Sequence, residues 1–156
     1  MKIGWICLSL TNRLLMIKNQ MLIREFISET NKNQMISTLL KHYNVGSVRV
    51  RNKSMKRHAD YDVDRGVLNL STRYKTIKTN QIKEFLITIL HEIDHAIDSK
   101  KKGWKNFKAD YEWEMNYQIG KGKDEYKDNK YEIKAEKFGQ SNWSKWRDKF
   151  KKEGLI

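Results

Sequence analysis

An α+β fold is predicted for this chain by three features: a broad apolar stripe at helical spacing from Ile82 to Ile97, two short alternating segments just before it, and helical patterns on either side. With 156 residues the chain is long enough for one domain with a core of its own, expected over residues 21–156. Residues 1–20 read as a leader, because Met16 and Met21 both precede the first well-formed helical pattern.

The elements follow in order. From Leu22 to Tyr43 the residues Leu22, Ile23, Phe26, Ile27, Met35, Ile36, Leu39 and Leu40 recur at helical spacing, which predicts one long helix, or two if Asn31 to Asn33 break the run. Val45 to Val50 changes to alternation and reads as a short strand, followed by a basic loop from Arg51 to Arg57. Tyr61 to Asp64 and Val67 to Ser71 read as a hairpin turning at Arg65-Gly66, and hence as a small antiparallel sheet. Thr79 or Asn80 supplies an N-cap for the helix carrying Ile82, Phe85, Leu86, Ile89, Leu90, Ile93 and Ile97, and Lys100 to Lys102 before Gly103 suit its end. Residues 104–130, aromatic and polar with Gly120 and Gly122, read as an irregular insert with one helical stretch. A last helical region from about Asp128 to Phe150 is expected to break near Gly139 to Asn142, with Trp143, Trp146 and Phe150 packing onto the domain.

Composition limits the function. No apolar run approaches the roughly 20 residues that span a bilayer. The stretch Ile3 to Leu10 lacks a cleavage site, so a cytoplasmic protein is expected. The single cysteine, Cys7, excludes an internal disulfide and leaves His, Asp and Glu as metal ligands. A formal charge of +13 draws polyanions, although a solvated basic surface is the favoured account of it. The abundance of Lys, Asn and Ile with no proline fits an AT-rich genome such as that of a bacteriophage.

The chemistry sits in His91-Glu92-Ile93-Asp94-His95. Spacing of i and i+4 puts both imidazoles on one helical face, with Cβ atoms about 6 Å apart, where one metal ion can bridge them. Glu92 lies about 100° around the helix, from where it can take a proton from water without being a ligand. A catalytic zinc site ordinarily has three protein ligands and one open position. Glu132 is the best third ligand, since Ala135 lets its helix approach closely, and Glu136 one turn on is placed to accept the N–H of a ligating histidine. Asp98 shares the face of His95 and remains the alternative as ligand or supporting group, although consecutive turns of one helix converge poorly on a tetrahedral ion. His42 and His58 read as ordinary histidines and Cys7 as an inert thiol. Tyr111, Tyr117, Tyr126 and Tyr131 are the phenols available as oxyanion donors.

These residues resemble the gluzincin metallopeptidases, in which His-Glu-x-x-His is followed by a helix bearing a ligand Glu. Glu132-x-x-Ala135-x-x-Phe138 is similar to the ImmA/IrrE-like minimal peptidases, over about residues 46–139. The likeness to SprT-like peptidases is weaker, because no histidine follows His95, and that to peptide deformylases is shallow, because Cys7 stands far from the histidines. The resemblance implies a minimal zincin-like domain with its sheet packed on the active-site helix and flanking helices around it. It further implies Zn2+ at His91, His95 and Glu132, Glu92 as base, and a substrate strand added to an edge such as Val67 to Ser71. Zinc-dependent peptide hydrolysis is therefore expected, with a protein or peptide substrate, and the charge admits a DNA-binding protein as that substrate. The alternative is a basic nucleic-acid-binding protein whose metal site is structural or vestigial.

Overall fold

The computed structural model describes residues 25–156, so the expected leader, Cys7, and the apolar residues Leu22 and Ile23 lie outside the described residues. It is a mixed α and β structure of four helices and small sheets. Among the described residues no helix is long and apolar enough to cross a membrane.

Strand β1 (Phe26–Ile27) pairs antiparallel with β5 (Ile77–Lys78). Helix α1 (Glu29–His42) begins where the Ser28 hydroxyl accepts the backbone N–H of Asn31, so Asn31 to Asn33, where the pattern allows one helix or two, lie inside its first turns, while Phe26 and Ile27, helical by spacing, are drawn into β1 by pairing with β5. Met35, Ile36, Leu39 and Leu40 are its buried face.

The three-stranded sheet has the order β2 (Arg49–Lys53), β4 (Val67–Ser71), β3 (Ala59–Asp62). The hairpin is present, with Ala59 opposite Leu70 and Asp62 opposite Val67, and its turn uses Gly66 at φ 59. The expectation of an antiparallel sheet is corrected to a mixed one, because β2 lies parallel to β4 along its far side. Residues Arg51 to Lys53, read as loop, belong to β2; their basic side chains hide the alternation, and all five residues of the strand are exposed. Being central, β4 is buried throughout. Leu68 and Leu70 enter the main core, while the opposite face carries a polar ladder in which Asn69 accepts from Arg51 Nε at 2.6 Å and donates to Asp60. The edge proposed for a substrate strand, Val67 to Ser71, is therefore already occupied on both sides.

Helix α2 (Ile82–Lys102) crosses the middle of the molecule. Thr79 and Asn80 do not cap it directly but form a 3₁₀ turn leading into it. Phe85, Leu86, Ile89, Leu90 and Ile93 are completely buried, and burial runs unbroken from Ile89 to Ala96 because other elements cover the remaining faces. The helix stops at Gly103, φ 80, after Lys100 to Lys102.

Residues 104–130 depart most from expectation. Helix α3 (Trp104–Gly120) replaces the irregular insert. Its buried residues are Phe107, Glu114 and Gln118, two of them polar, so it has no apolar stripe that periodicity could reveal. Helix α4 (Lys130–Lys152) starts at Asn129, whose side-chain oxygen accepts from Tyr131 N at 2.9 Å, and runs without a break through Gly139 to Asn142. Gly139 is there for contact rather than for a bend: a Cβ on it would stand 2.8 Å from the Ile87 carbonyl oxygen of α2. Trp146 and Phe150 are buried as expected, with Trp146 donating to Tyr43 Oη at 3.0 Å, while Trp143 is partly buried beneath Lys83 and Arg147.

Candidate metal centre

Two helices deliver the group. Helix geometry brings His91 and His95 onto one face of α2. The close α2–α4 crossing, allowed by Ala135 and Gly139, brings Glu132 from the first turn of α4 up to them. His91 Nε2 is 3.0 Å from Glu132 Oε2 and 3.2 Å from His95 Nε2, and His95 Nε2 is 3.3 Å from Glu132 Oε1. All three residues are buried, and their donor atoms form the one His/Cys/Asp/Glu group with metal-holding geometry found among the described residues.

The donor set fits a tetrahedral cation. Bonds of about 2.0–2.1 Å to such an ion separate its ligand atoms by roughly 3.3–3.4 Å; the two imidazole nitrogens stand 3.2 Å apart, Glu132 approaches one ring through each of its oxygens, and one ligand atom from each of the three residues lies within 4.8 Å of the others. Two imidazole nitrogens facing each other beside a carboxylate crowd their lone pairs unless a ring proton or a cation lies between them, since rings with N–H at Nδ1 present only lone pairs there. A proton can serve between one pair of atoms; a divalent ion serves all three.

The neighbouring side chains hold these ligands in place. Tyr111 of α3 donates to Glu132 Oε1. Phe107 and Tyr111 both lie against the His95 ring at 6.1 Å between centroids. His95 Nδ1 has no hydrogen-bond partner among the described residues, so aromatic packing orients that ring. Glu136 lies on the Nδ1 side of His91 as anticipated, but at 3.8 Å, an ion-pair separation rather than a hydrogen bond. Asp98 lies outside the group: its Oδ2 accepts from Lys134 Nζ at 2.7 Å, and the same ammonium lies 3.0 Å from buried Asp94. Lys134 thereby ties α4 to α2 one half-turn beyond Glu132.

Electrostatics separates the roles. Burial drives the Glu92 carboxyl above the ordinary carboxylate range, against the opposing pull of His91 and His95. Burial acts the same way on Glu132 but is overcome by hydrogen bonds from His91 and His95, which hold that carboxyl well below its ordinary value. Burial alone would lower His91; the hydrogen bond to Glu132 and the charges of Glu92, Glu132 and Glu136 outweigh it and leave the ring above its ordinary value. Glu132 is thus an anion at any moderate pH, whereas Glu92 holds a proton more readily.

A cleft of about 340 Å³ opens onto the group, walled by β3 (Ala59, Asp60, Tyr61), by α3 (Phe107, Tyr111, Met115) and by Tyr126. A second cavity of about 420 Å³ reaches His91 and Glu92 from the other side, between His58, Thr88 and Glu136. Arg57 and Tyr126 border both, with the guanidinium 5.4 Å from the ring centre, so this pair divides the opening. Of the four tyrosines suggested as donors, Tyr111 and Tyr126 face the cleft, while Tyr117 stacks on Trp113 and Tyr131 is held by Lys102 and Asp110. Burial first, and then Glu132, raises both cleft phenols, so each keeps its proton. His42 and His58 lie outside the group, His42 against Tyr43 and Trp146 and His58 on Tyr74 and Glu84.

No family model, no curated protein and no solved structure matches this chain. The arrangement itself therefore carries the functional reading.

Sequence reasoning offered Tyr111 and Tyr126 among four phenols without choosing between them, and missed Phe107, Lys134 and Arg57. For α3 a signal existed: Phe107, Tyr111, Glu114 and Gln118 fall at helical spacing, but the face they define mixes aromatic and polar residues and so reads as no stripe.

Proposed function

We propose that this chain is a zinc-dependent peptidase in which Glu92 is the general base. The observation that carries this reading is the convergence of His91, His95 and Glu132 within ligand distance, at the floor of an open cleft, with Glu92 beside them on the same helix. Three protein ligands with cleft space beside them are the pattern of a catalytic zinc site; a structural site would close the coordination with a fourth side chain.

Zinc held there supplies Lewis acidity, acidifying water and polarising a carbonyl. The chain's own groups do the rest. Glu132, fixed by Tyr111, contributes the negative ligand, and His91 and His95 contribute neutral nitrogens. Glu92 accepts a proton from the attacking water and returns it to the leaving amine, a task that suits a carboxyl raised toward neutrality by burial. The substrate lies along β3, which is the free edge of the sheet on the cleft side, rather than along β4. Tyr126 is the phenol best placed to donate to an oxyanion, because Tyr111 is engaged with Glu132.

The test is paired. Glu92→Gln is expected to keep one zinc per chain and the native circular-dichroism spectrum while peptide hydrolysis falls by about 10²–10⁴. His91→Ala is expected to lose the metal. A Glu92→Gln protein with undiminished activity removes Glu92 as base; wild-type protein that holds no tightly bound zinc removes the whole reading.

A further inference from the structure

Residues 54–58, between β2 and β3, bring one cation to the mouth of the cleft. Their main chain is held by neighbouring elements: Ser71 N donates to the His58 carbonyl at 2.9 Å, Ser71 Oγ to the Met55 carbonyl at 3.4 Å, and Arg73 to the Lys56 carbonyl at 3.2 Å. The His58 ring is fixed as well. Arg73 donates to its Nε2 at 2.9 Å, so the ring proton sits on Nδ1, toward Tyr74 Oη at 2.7 Å and Glu84 Oε1 at 2.9 Å. Arg57 lies inside this fastened stretch, yet its guanidinium only rests over the Tyr126 ring and meets no carboxylate among the described residues.

Exposed lysines without a partner occur elsewhere, so position rather than the lack of a partner singles out Arg57. It and Lys108 are the Lys and Arg residues lining the two cavities that reach His91 and Glu92. Lys108 is bound to Asp64 at 2.7 Å, and the charge of Glu112 acts on it too. Acidic groups of the lining are also engaged: Asp60 accepts from Asn69, Glu136 from Gln140 at 2.9 Å, and Glu132 from Tyr111. A guanidinium over an aromatic face keeps its N–H donors free, in a fork that matches a carboxylate. Arg57 also stands two residues ahead of β3, the free edge along which the substrate strand is placed.

We propose that Arg57 is a specificity-determining residue that selects peptides carrying an Asp or Glu side chain close to the scissile bond. The inference rests on the peptidase reading above. Cavity space continues on both sides of Arg57, so a bound chain runs past it rather than ending there, which assigns the carboxylate to a side chain and not to a C-terminus. One guanidinium balances one carboxylate, whereas the second charge of a phosphate would stand uncompensated near Glu92 and Glu136.

The test is mass-spectrometric profiling of the sites cut by the zinc-loaded full chain in a synthetic library of random peptides. It is followed by kcat/KM for a C-terminally amidated pair with Glu or Gln at the selected position. The wild type is expected to enrich Asp and Glu at one position and to prefer the Glu peptide about five- to tenfold, a modest figure because Arg57 is exposed. Arg57→Gln should bring that ratio to about one, and Arg57→Glu should invert it in favour of a Lys peptide, with zinc content and circular dichroism as in the wild type. The preference is also read without turnover. A labelled Glu peptide should bind Glu92→Gln protein about five- to tenfold more tightly than the Gln peptide, and equally well once Arg57→Gln is added. Cleavage with no acidic preference, a preference that survives Arg57→Gln, or a requirement for a free C-terminal carboxylate would each overturn the assignment and leave the peptidase reading standing. No cleavage of any peptide would remove that reading and this one with it.

Discussion

Replacing Gly139 by alanine probes the helix contact that brings Glu132 to His91 and His95. The added Cβ would lie 2.8 Å from Ile87 O and 3.2 Å from Ile87 Cγ2, and the nearer of these is backbone inside a buried helix and cannot rotate away. Ordinary contact begins at 3.4 Å, so the helices must part by about 3.4 − 2.8 = 0.6 Å at the crossing. Alanine gains about 1 kcal/mol over glycine in a helix interior, whereas overpacking costs about 1–3 kcal/mol. The net expectation is a loss of about 0–2 kcal/mol, measured by urea unfolding in EDTA. Glu132 sits two turns from Gly139 on the helix that must shift, and a ligand displaced by more than about 0.5 Å no longer meets its partners well. Zinc affinity, measured by competition with a chromogenic chelator, should then fall on the order of tenfold. A variant that is stabilised by about 1 kcal/mol and binds zinc unchanged would show that the helices do not meet as described.

Two further outcomes can be checked. Lys134→Met strips buried Asp94 of its cation and Asp98 of a hydrogen bond, so about 1–2 kcal/mol should be lost, reduced from the fully buried case because the lysine is half exposed; adding Asp94→Asn should restore most of it, and a loss confined to the noise would mean that the ammonium is free in solution. In EDTA, the raised His91 contributes stability that is complete below about pH 6.5 and lost as pH rises through its higher folded value, while the depressed Glu132 contributes above about pH 4.3 and loses its effect as pH falls through its lower folded value. The metal-free protein should therefore lose stability as pH rises above about 6.5, whereas the increment added by zinc should grow over the same rise, because ligation expels protons; identical pH profiles with and without zinc would contradict the shared site.

The residues of the candidate metal centre were legible in the sequence because their signal is local. His91, Glu92 and His95 follow from one helical turn, and that helix from its uninterrupted apolar stripe. Glu132 was legible at a distance because a small residue, Ala135, accompanies it. What escaped depends on pairing and on mixed faces. The parallel alignment of β2 with β4 is a long-range contact with no local mark, and the basic side chains of β2 resemble a loop. Gly139 reads as a helix breaker until its neighbour Ile87 is known, and Asp98 reads as an alternative ligand or supporting group until Lys134 is placed opposite it. The cleft walls come from α3, whose buried residues include Glu114 and Gln118, so no hydrophobicity pattern announces that helix.

His91 and Glu132 stand 41 positions apart along the chain, and what lies between them, the end of α2, α3 and the segment after it, leaves and returns through that one meeting place. A cation seated there acts as a clasp on this excursion, and fastening a long loop removes freedom from the unfolded chain that grows only slowly with its length. Occupancy of a few cubic ångströms would in this way govern the integrity of a whole wall of the molecule, and loss of the ion would be felt first by proteases probing the far side of that excursion.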